Sequence, residues 1–253
     1  MKIFYFTATG NSLAVAKAIG GELVSIPQEM RRDDMVYEDD AIGVVFPVYS
    51  ATVPIIVEHF LSLATLRTPY LFGIATYGNT AGGALDALQK IARRNALSFH
   101  YLNQIRMVDN YLPGYDIDAE IEKLPAKGID AALATIVQDV RERRQQIPSI
   151  SFGNRLLTRL LGSTLSQGNS VRKPEFLVND VCTKCEVCEK VCPMGNIDAL
   201  PEVSFGDRCI SCYACIHACP KTAIHLKNEK SAKRWRHPDV TLQEIVEANQ
   251  IKE

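Results

Sequence analysis

Cysteine is absent from the first 181 residues of this 253-residue chain, neither sign of charge is in excess, and tryptophan occurs once. Lys and Arg number 28 against 29 Asp and Glu, and the formal charge of -1 offers no electrostatic footprint for nucleic acid. No apolar run approaches the roughly 18 residues that a membrane span needs, and Met1 opens straight onto an apolar strand pattern instead of a basic-then-apolar leader. The expected location is the cytoplasm. A Walker pattern is missing, which disfavours a nucleoside triphosphatase, and so is the G-x-G-x-x-G of dinucleotide folds. Hydrophobic side chains make up 47% of the chain, an ordinary globular value that excludes a disordered or low-complexity scaffold.

The first half is an alternation. From Lys2 to Lys90 short β-rich apolar runs alternate with helical patterns, as successive βαβ units and a parallel sheet require. Strands are expected at Lys2–Phe6, Glu22–Ile26, Ala41–Phe46, Tyr70–Thr76 and Leu97–Leu102. Helices are expected at Ser12–Ile19, Pro54–Leu63, Ala84–Arg94 and Ile129–Arg144, while the polar, acidic Gln28–Asp40 reads as a loop or short helix. Five strands with right-handed crossovers give a doubly wound α/β sheet whose ligand crevice lies at the carboxyl ends of the strands.

Three loops at those ends are rich in hydrogen-bonding groups. Thr7-Ala8-Thr9-Gly10-Asn11-Ser12 joins the first strand to the first helix, and its hydroxyls, amide and helix-start N–H groups suit an anion such as a phosphate. Pro47-Val48-Tyr49-Ser50-Ala51 follows the third strand, and Thr76-Tyr77-Gly78-Asn79-Thr80-Ala81-Gly82 ends the fourth. Asp109-Asn110-Tyr111-Leu112-Pro113, after the fifth strand, is placed to cover the same pocket. The first loop resembles the T-x-T-G-N-T/S phosphate loop of flavodoxins. That resemblance implies that Thr7, Ala8, Thr9, Gly10, Asn11 and Ser12 cradle the phosphate of FMN. It further implies that the loops bearing Pro47, Val48, Tyr49 and Ser50, and Thr76, Tyr77, Gly78, Asn79 and Gly82, sandwich the isoalloxazine ring. Tyr49 or Tyr77 would stack on the ring, Gly78 would admit backbone close to it, and Asn110 and Tyr111 would complete the contacts. The competing reading is a capped turn with packing tyrosines.

All eight cysteines fall in the second half, as Cys182-x2-Cys185-x2-Cys188-x3-Cys192-Pro193 and again, 27 residues on, as Cys209-x2-Cys212-x2-Cys215-x3-Cys219-Pro220. Disulfides are not expected in a reducing cytoplasm. Asp180 maps onto Asp207 and Ile197 onto Ile224 by the same offset, so a unit of strand, ligand loop, short helix and strand is duplicated. C-x2-C-x2-C wraps three thiolates round one side of a 4Fe-4S cubane, and the fourth Cys points away. By resemblance to bacterial-type two-cluster ferredoxins, one cluster takes Cys182, Cys185, Cys188 and Cys219, and the other Cys209, Cys212, Cys215 and Cys192. Structural zinc is the alternative, but it normally uses paired C-x2-C knuckles. Val181, Val187, Val191, Ile197, Ile210, Ile216 and Ile224 are expected to keep water from the clusters.

The expected domains are residues 1–150, flavodoxin-like and FMN-binding; 151–175, a connector with an amphipathic helix near Asn154–Leu161 and hinges at Gly162-Ser163 and Gln167–Ser170; 176–226, a two-cluster ferredoxin; and 227–253, a basic run with the sole Trp235 and a docked helix capped at Thr241. Together the halves resemble the prokaryotic flavodoxin-ferredoxin fusion family. The fold class implied is an α/β flavodoxin-like doubly wound five-stranded parallel sheet plus a small α+β bacterial two-cluster ferredoxin domain. The implied function is electron transfer coupling two-electron FMN chemistry to one-electron traffic through two 4Fe-4S clusters, in an anaerobic or microaerophilic prokaryote. Redox partner proteins would donate and accept, with no nucleic acid, no membrane span and no demanded catalytic residue. The alternative is an FMN-dependent reductase of a small molecule fed by the clusters; a homodimer is compatible with either.

Overall fold

The computed structural model describes residues 1–148 and 174–250. The first part runs β1 (Lys2–Tyr5), α1 (Asn11–Ile19), β2 (Glu22–Ser25), α2 (Ile26–Glu29), β3 (Val36–Glu38), β4 (Ile42–Pro47), α3 (Ile55–Leu63), β5 (Thr65–Arg67), β6 (Leu71–Tyr77), α4 (Ala84–Arg94), β7 (Tyr101–Arg106), α5 (Ile117–Glu122), a 3-10 turn (Leu124–Lys127) and α6 (Ile129–Arg141). Five of these strands form one parallel sheet in the order β2-β1-β4-β6-β7. Numbering only those five gives 2-1-3-4-5, the flavodoxin-like order.

Period-two alternation builds two cores. In β1, Ile3 and Tyr5 face one layer and Phe4 the other, and Phe6 just beyond the strand joins Phe4. The first layer is closed by Leu13, Val15 and Ala16 of α1 with Ile136 and Val140 of α6; the second by Ile56 and Phe60 of α3 with Leu88 and Ile91 of α4. Gly43 of β4 leaves room for the Phe72 ring, which a Cβ there would meet at 2.2 Å.

The last strand of the sheet starts four residues later than its hydrophobic run suggests. Helix α4 exits through Asn95 and Ala96, the latter at φ 55°, and the Leu97 N–H still bonds the Ala92 carbonyl (2.9 Å). Leu97 is thereby held at the helix exit, the His100 N–H already bonds the Leu71 carbonyl (2.7 Å), and strand pairing begins at Phe72 with Tyr101. Gln28–Asp40 takes up the end of α2 and then β3, which pairs parallel with β5 as a separate ribbon.

The second part runs β8 (Phe176–Val178), α7 (Val187–Lys190), β9 (Ile197–Asp198), β10 (Ser204–Phe205), α8 (Ala214–Ala218), β11 (Ile224–Leu226) and α9 (Leu242–Asn249). β8 pairs antiparallel with β11 and β9 with β10. Each copy of the duplicated unit thus completes the other's ribbon, and the two helices stand at the 27-residue offset. The expected connector helix and hinges lie outside the described residues. Among the described residues no helix is long and apolar enough to cross a membrane.

Candidate cofactor sites

The loops after β1, β4, β6 and β7 meet at the carboxyl edge of the sheet. Gly10, at φ +97°, turns the first loop into α1, and the first turn leaves the Asn11, Ser12 and Leu13 N–H groups without intrahelical acceptors. Thr7 Oγ1 accepts the Gly10 N–H (3.1 Å), and Thr9 Oγ1 accepts from Asn110 Nδ2 (2.6 Å). Ser12 Oγ and Thr76 Oγ1 share one bond (2.8 Å). A hydroxyl has one hydrogen and two lone pairs, so these contacts use lone pairs on Thr7 and Thr9 and leave their hydrogens to donate. One of the Ser12–Thr76 pair keeps its hydrogen too. These hydroxyls are buried and neutral, and with the helix-start N–H groups they fit an anion of phosphate chemistry.

The other loops differ from expectation in detail. Gly78 does not present open backbone: a Cβ there would meet the Asp109 side chain at 2.2 Å. Asp109 Oδ2 accepts the Asn79 N–H (2.9 Å), and Asn79 Nδ2 also donates to Glu120 Oε1 (3.1 Å), so Asn79 is committed to the protein. Gly82 (φ +51°) sits against Ala51. Val48 bonds the Thr76 carbonyl through its N–H (2.8 Å), tying the Pro47–Ser50 loop to β6. Tyr77 is half-buried at the end of β6. Tyr49 lies edge-on to Phe6 (5.9 Å), with its hydroxyl buried and unpartnered among the described residues. Burial, then Cys212 and Tyr213, hold its pKa well above the ordinary tyrosine value. Tyr111 is half exposed and leans on Tyr213 (5.9 Å) and Tyr115 (6.5 Å).

The C-terminal segment encloses the first loop, which sequence patterns did not indicate. Trp235 Nε1 donates to Asn11 Oδ1 (3.1 Å), the His237 N–H to the Thr9 carbonyl (2.8 Å), and Asn249 Nδ2 to the Thr7 carbonyl (3.1 Å). His217, between two cysteines, accepts the Trp235 N–H at Nδ1 (3.0 Å), so its hydrogen sits on Nε2 and donates to the Asn110 carbonyl (2.9 Å). Burial lowers its pKa to about 4, which keeps the ring neutral.

Cys182, Cys185, Cys188 and Cys219 line one cavity, closed by Ala199, Val203 and Ile224. Burial, then Cys212, Cys192, Cys209 and Cys188, hold the Cys215 pKa well above the ordinary thiol value. Burial pushes Cys188 up to about 11 and Cys212 well up, so these sulfurs favour ionisation only against strong positive charge, as iron supplies. Backbone N–H groups already address the sulfurs: Asn196 to Cys192 (3.3 Å), Ala223 to Cys219 (3.2 Å) and Ser211 to Cys209 (3.4 Å). Asn196 and Ala223 are symmetry-related positions. The four thiols of that cavity, with N–H donors on cysteine sulfurs of both copies of the repeat, fit iron-sulfur chemistry. Of the expected apolar shield, Val191, Ile197, Ile216 and Ile224 are buried and Val187 and Ile210 partly so; Val181 is 55% exposed and shields nothing.

Residues 157–238, all eight cysteines included, match the family described as a 4Fe-4S dicluster domain. The C-terminal region is a 4Fe-4S ferredoxin domain. No curated protein matches the chain. Among solved structures it is similar to a chain described as a flavoprotein from Bacteroides uniformis ATCC 8492, at 14% identity over 49% of this chain and 96% of that one, TM-score 0.33. It is also similar to the Trp repressor binding protein from Bacillus subtilis, at 13% identity over 54% of this chain and 95% of that one, TM-score 0.34.

Proposed function

We propose that this protein is an electron-transfer iron-sulfur flavoprotein in which FMN at the sheet edge exchanges electrons with two 4Fe-4S clusters. The observation that carries the reading is the junction of the two sites: Ile210 and Cys212 of the second thiol loop pack against the same core of the sheet domain as Tyr49 of the flavin-type crevice. Bound FMN would supply two-electron chemistry divisible into single electrons, and bound clusters would supply single-electron steps. Thr7, Thr9 and the start of α1 bind and orient the phosphate end. Tyr49, Tyr77 and Tyr111 border the ring end, with Asp109 and Asn79 fixing the loop beneath it. The crossed sets, Cys182/Cys185/Cys188/Cys219 and Cys192/Cys209/Cys212/Cys215, hold the two clusters, and each set draws its fourth thiol from the other copy of the repeat. Trp235 and His237 exclude water from the phosphate loop. The domain division follows: a flavin-binding sheet domain to about residue 150, a connector, the cluster domain at 176–226, and a tail that returns to the sheet.

Thr9→Val removes one hydroxyl donor at constant shape. After anaerobic purification the variant should carry less flavin with undiminished iron. Equal flavin in wild type and variant would remove the first loop from the site, and a wild-type protein with iron but no flavin would overturn the reading. Turnover of an organic substrate by the reduced wild type would favour a reductase.

A further inference from the structure

The duplication gives the two thiol loops left-handed residues at the same two positions and different side chains. Lys184 and Glu186 in the first copy, and Ser211 and Tyr213 in the second, stand at the same offset, all with positive φ between 54° and 62°. The left-handed geometry belongs to the cluster loop and is conserved by both copies. What each loop offers its surroundings is opposite. Around exposed Cys185 the first copy places Lys184 and Glu186; beside half-buried Cys212 the second places Ser211 and Tyr213.

Their locations follow that difference. Cys212 packs against both cores of the sheet domain and Ile210 against one. Tyr213 is buried, follows the Cys212 ligand directly in the chain, and meets Tyr111 at 5.9 Å. The hydroxyls of Tyr49 and Ser211 are both buried with no hydrogen-bond partner among the described residues. Polar atoms left this way are costly unless something else meets them. By contrast, every residue lining the Cys182 cavity comes from 182–224.

Resting on the reading above, we propose that the two clusters have fixed and unequal places. The Cys192/Cys209/Cys212/Cys215 cluster is the inner relay, joined to the flavin crevice through Tyr213, and the Cys182/Cys185/Cys188/Cys219 cluster is the outer port. When the groups are bound, a reduced one-electron donor protein would deliver its electron at the Cys182/Cys185/Cys188/Cys219 set, and the Cys192/Cys209/Cys212/Cys215 set would relay it to the flavin crevice. Two such deliveries, with protons taken from water, would reduce the flavin and leave both clusters and two donor molecules oxidised. Tyr213 is a positioning residue, holding the inner thiolate loop against the crevice.

The test uses the full-length protein with its cofactors. Reduced clusters are observed by EPR with and without a water-soluble dysprosium chelate, and the signals are assigned with Cys185→Ser and Cys212→Ser. The signal altered by Cys185→Ser should relax markedly faster with dysprosium, and the one altered by Cys212→Ser should hardly respond. Equal response, or the reverse, overturns the order; equal response in wild type does so even if a variant fails to fold. Stopped-flow reduction of Tyr213→Ala by dithionite should then show cluster bleaching at the wild-type rate and flavin bleaching several-fold slower, at unchanged iron and flavin content. Tyr213→Phe should restore the rate if the ring positions the loop. Unchanged flavin bleaching in Tyr213→Ala overturns the Tyr213 route. Protein purified without flavin would sink the function proposed above, while the dysprosium measurement would still judge which cluster is outer.

Discussion

Glu120 is fully buried and still ionised, because four donors surround it. Lys123 and Lys127 reach it at 2.7 and 2.8 Å, Asn79 Nδ2 at 3.1 Å and the Asp109 N–H at 3.4 Å. Burial by itself would raise its pKa; the hydrogen bonds from Lys123, Lys127 and Asn79 outweigh it and bring the value to about 2. Lys127 is buried as well, so removing the carboxylate charge strands a cation. Glu120→Gln should therefore cost about 3 kcal/mol at pH 7. A carboxylate with a lowered folded pKa gives its full stabilisation above its unfolded value of about 4.3 and loses it as pH falls toward 2. The gap in urea midpoint between wild type and variant should be constant from pH 7 to 5 and shrink below that. A gap that does not change with pH would show that Glu120 acts by shape alone. Nothing in the sequence marked this residue: its partners are spread from Asn79 to Lys127 and meet only once the loops after β6 and β7 are brought together.

At the scale of elements, α9 shows how far local signals reach. Thr241 accepts the Glu244 N–H at 3.2 Å, and Glu244 returns to the Thr241 N–H at 2.8 Å, the capping box written in Thr-Leu-Gln-Glu. Lys17 of α1 pairs with Glu244 at 2.8 Å, and this bond, before the Thr241 contacts, lowers the Glu244 pKa to about 2. Local pattern gave the helix and its start. It could not give the destination, because Thr7 and Asn249 are joined by a bond across 242 residues of sequence. The five sheet strands and both cluster loops were legible for the same reason as the cap, each being set by spacing within a few residues. The late start of β7, the β3–β5 ribbon and the exposure of Val181 were not, since a helix exit, a distant strand and the edge of a domain decide them. At the sites, the thiol spacing could be read from the repeat, whereas the positions of Asp109 under Gly78 and Tyr213 beside Tyr111 depend on contacts between distant segments. Ile245, buried in the first core beside Val240 and Ala248, anchors α9. Ile245→Ala should cost about 2–5 kcal/mol, and Thr241→Ala about 1 kcal/mol. Thermal unfolding checks both, and a faster release of flavin in Ile245→Ala than in Thr241→Ala is expected if α9 holds the phosphate loop shut.

Across the whole molecule the two halves share their interiors. The first core joins Ile3, Ile136 and Val140 of the sheet domain to Val191 and Ala214 of the cluster domain and to Val240 and Ile245 of the tail. A third core joins Val108, Leu112 and Ile117 to Cys188, Cys192, Cys215 and Trp235. Cluster thiols are thus core residues of a structure that also contains the sheet, and iron that binds only the folded form stabilises both halves together. Anaerobic removal of iron by a chelator should lower the unfolding midpoint of the entire chain, not of one part. The sole tryptophan, Trp235, is buried and bonded to Asn11, so its fluorescence reports the junction, while most of the helix among the described residues, and with it their far-ultraviolet circular dichroism, belongs to the sheet domain. With iron bound, the two signals should change in one coincident transition. After chelation both should move down in temperature by the same amount. If the circular dichroism midpoint stays in place while the fluorescence midpoint falls, the sheet domain stands alone, and the shared cores carry less of the stability than their burial implies.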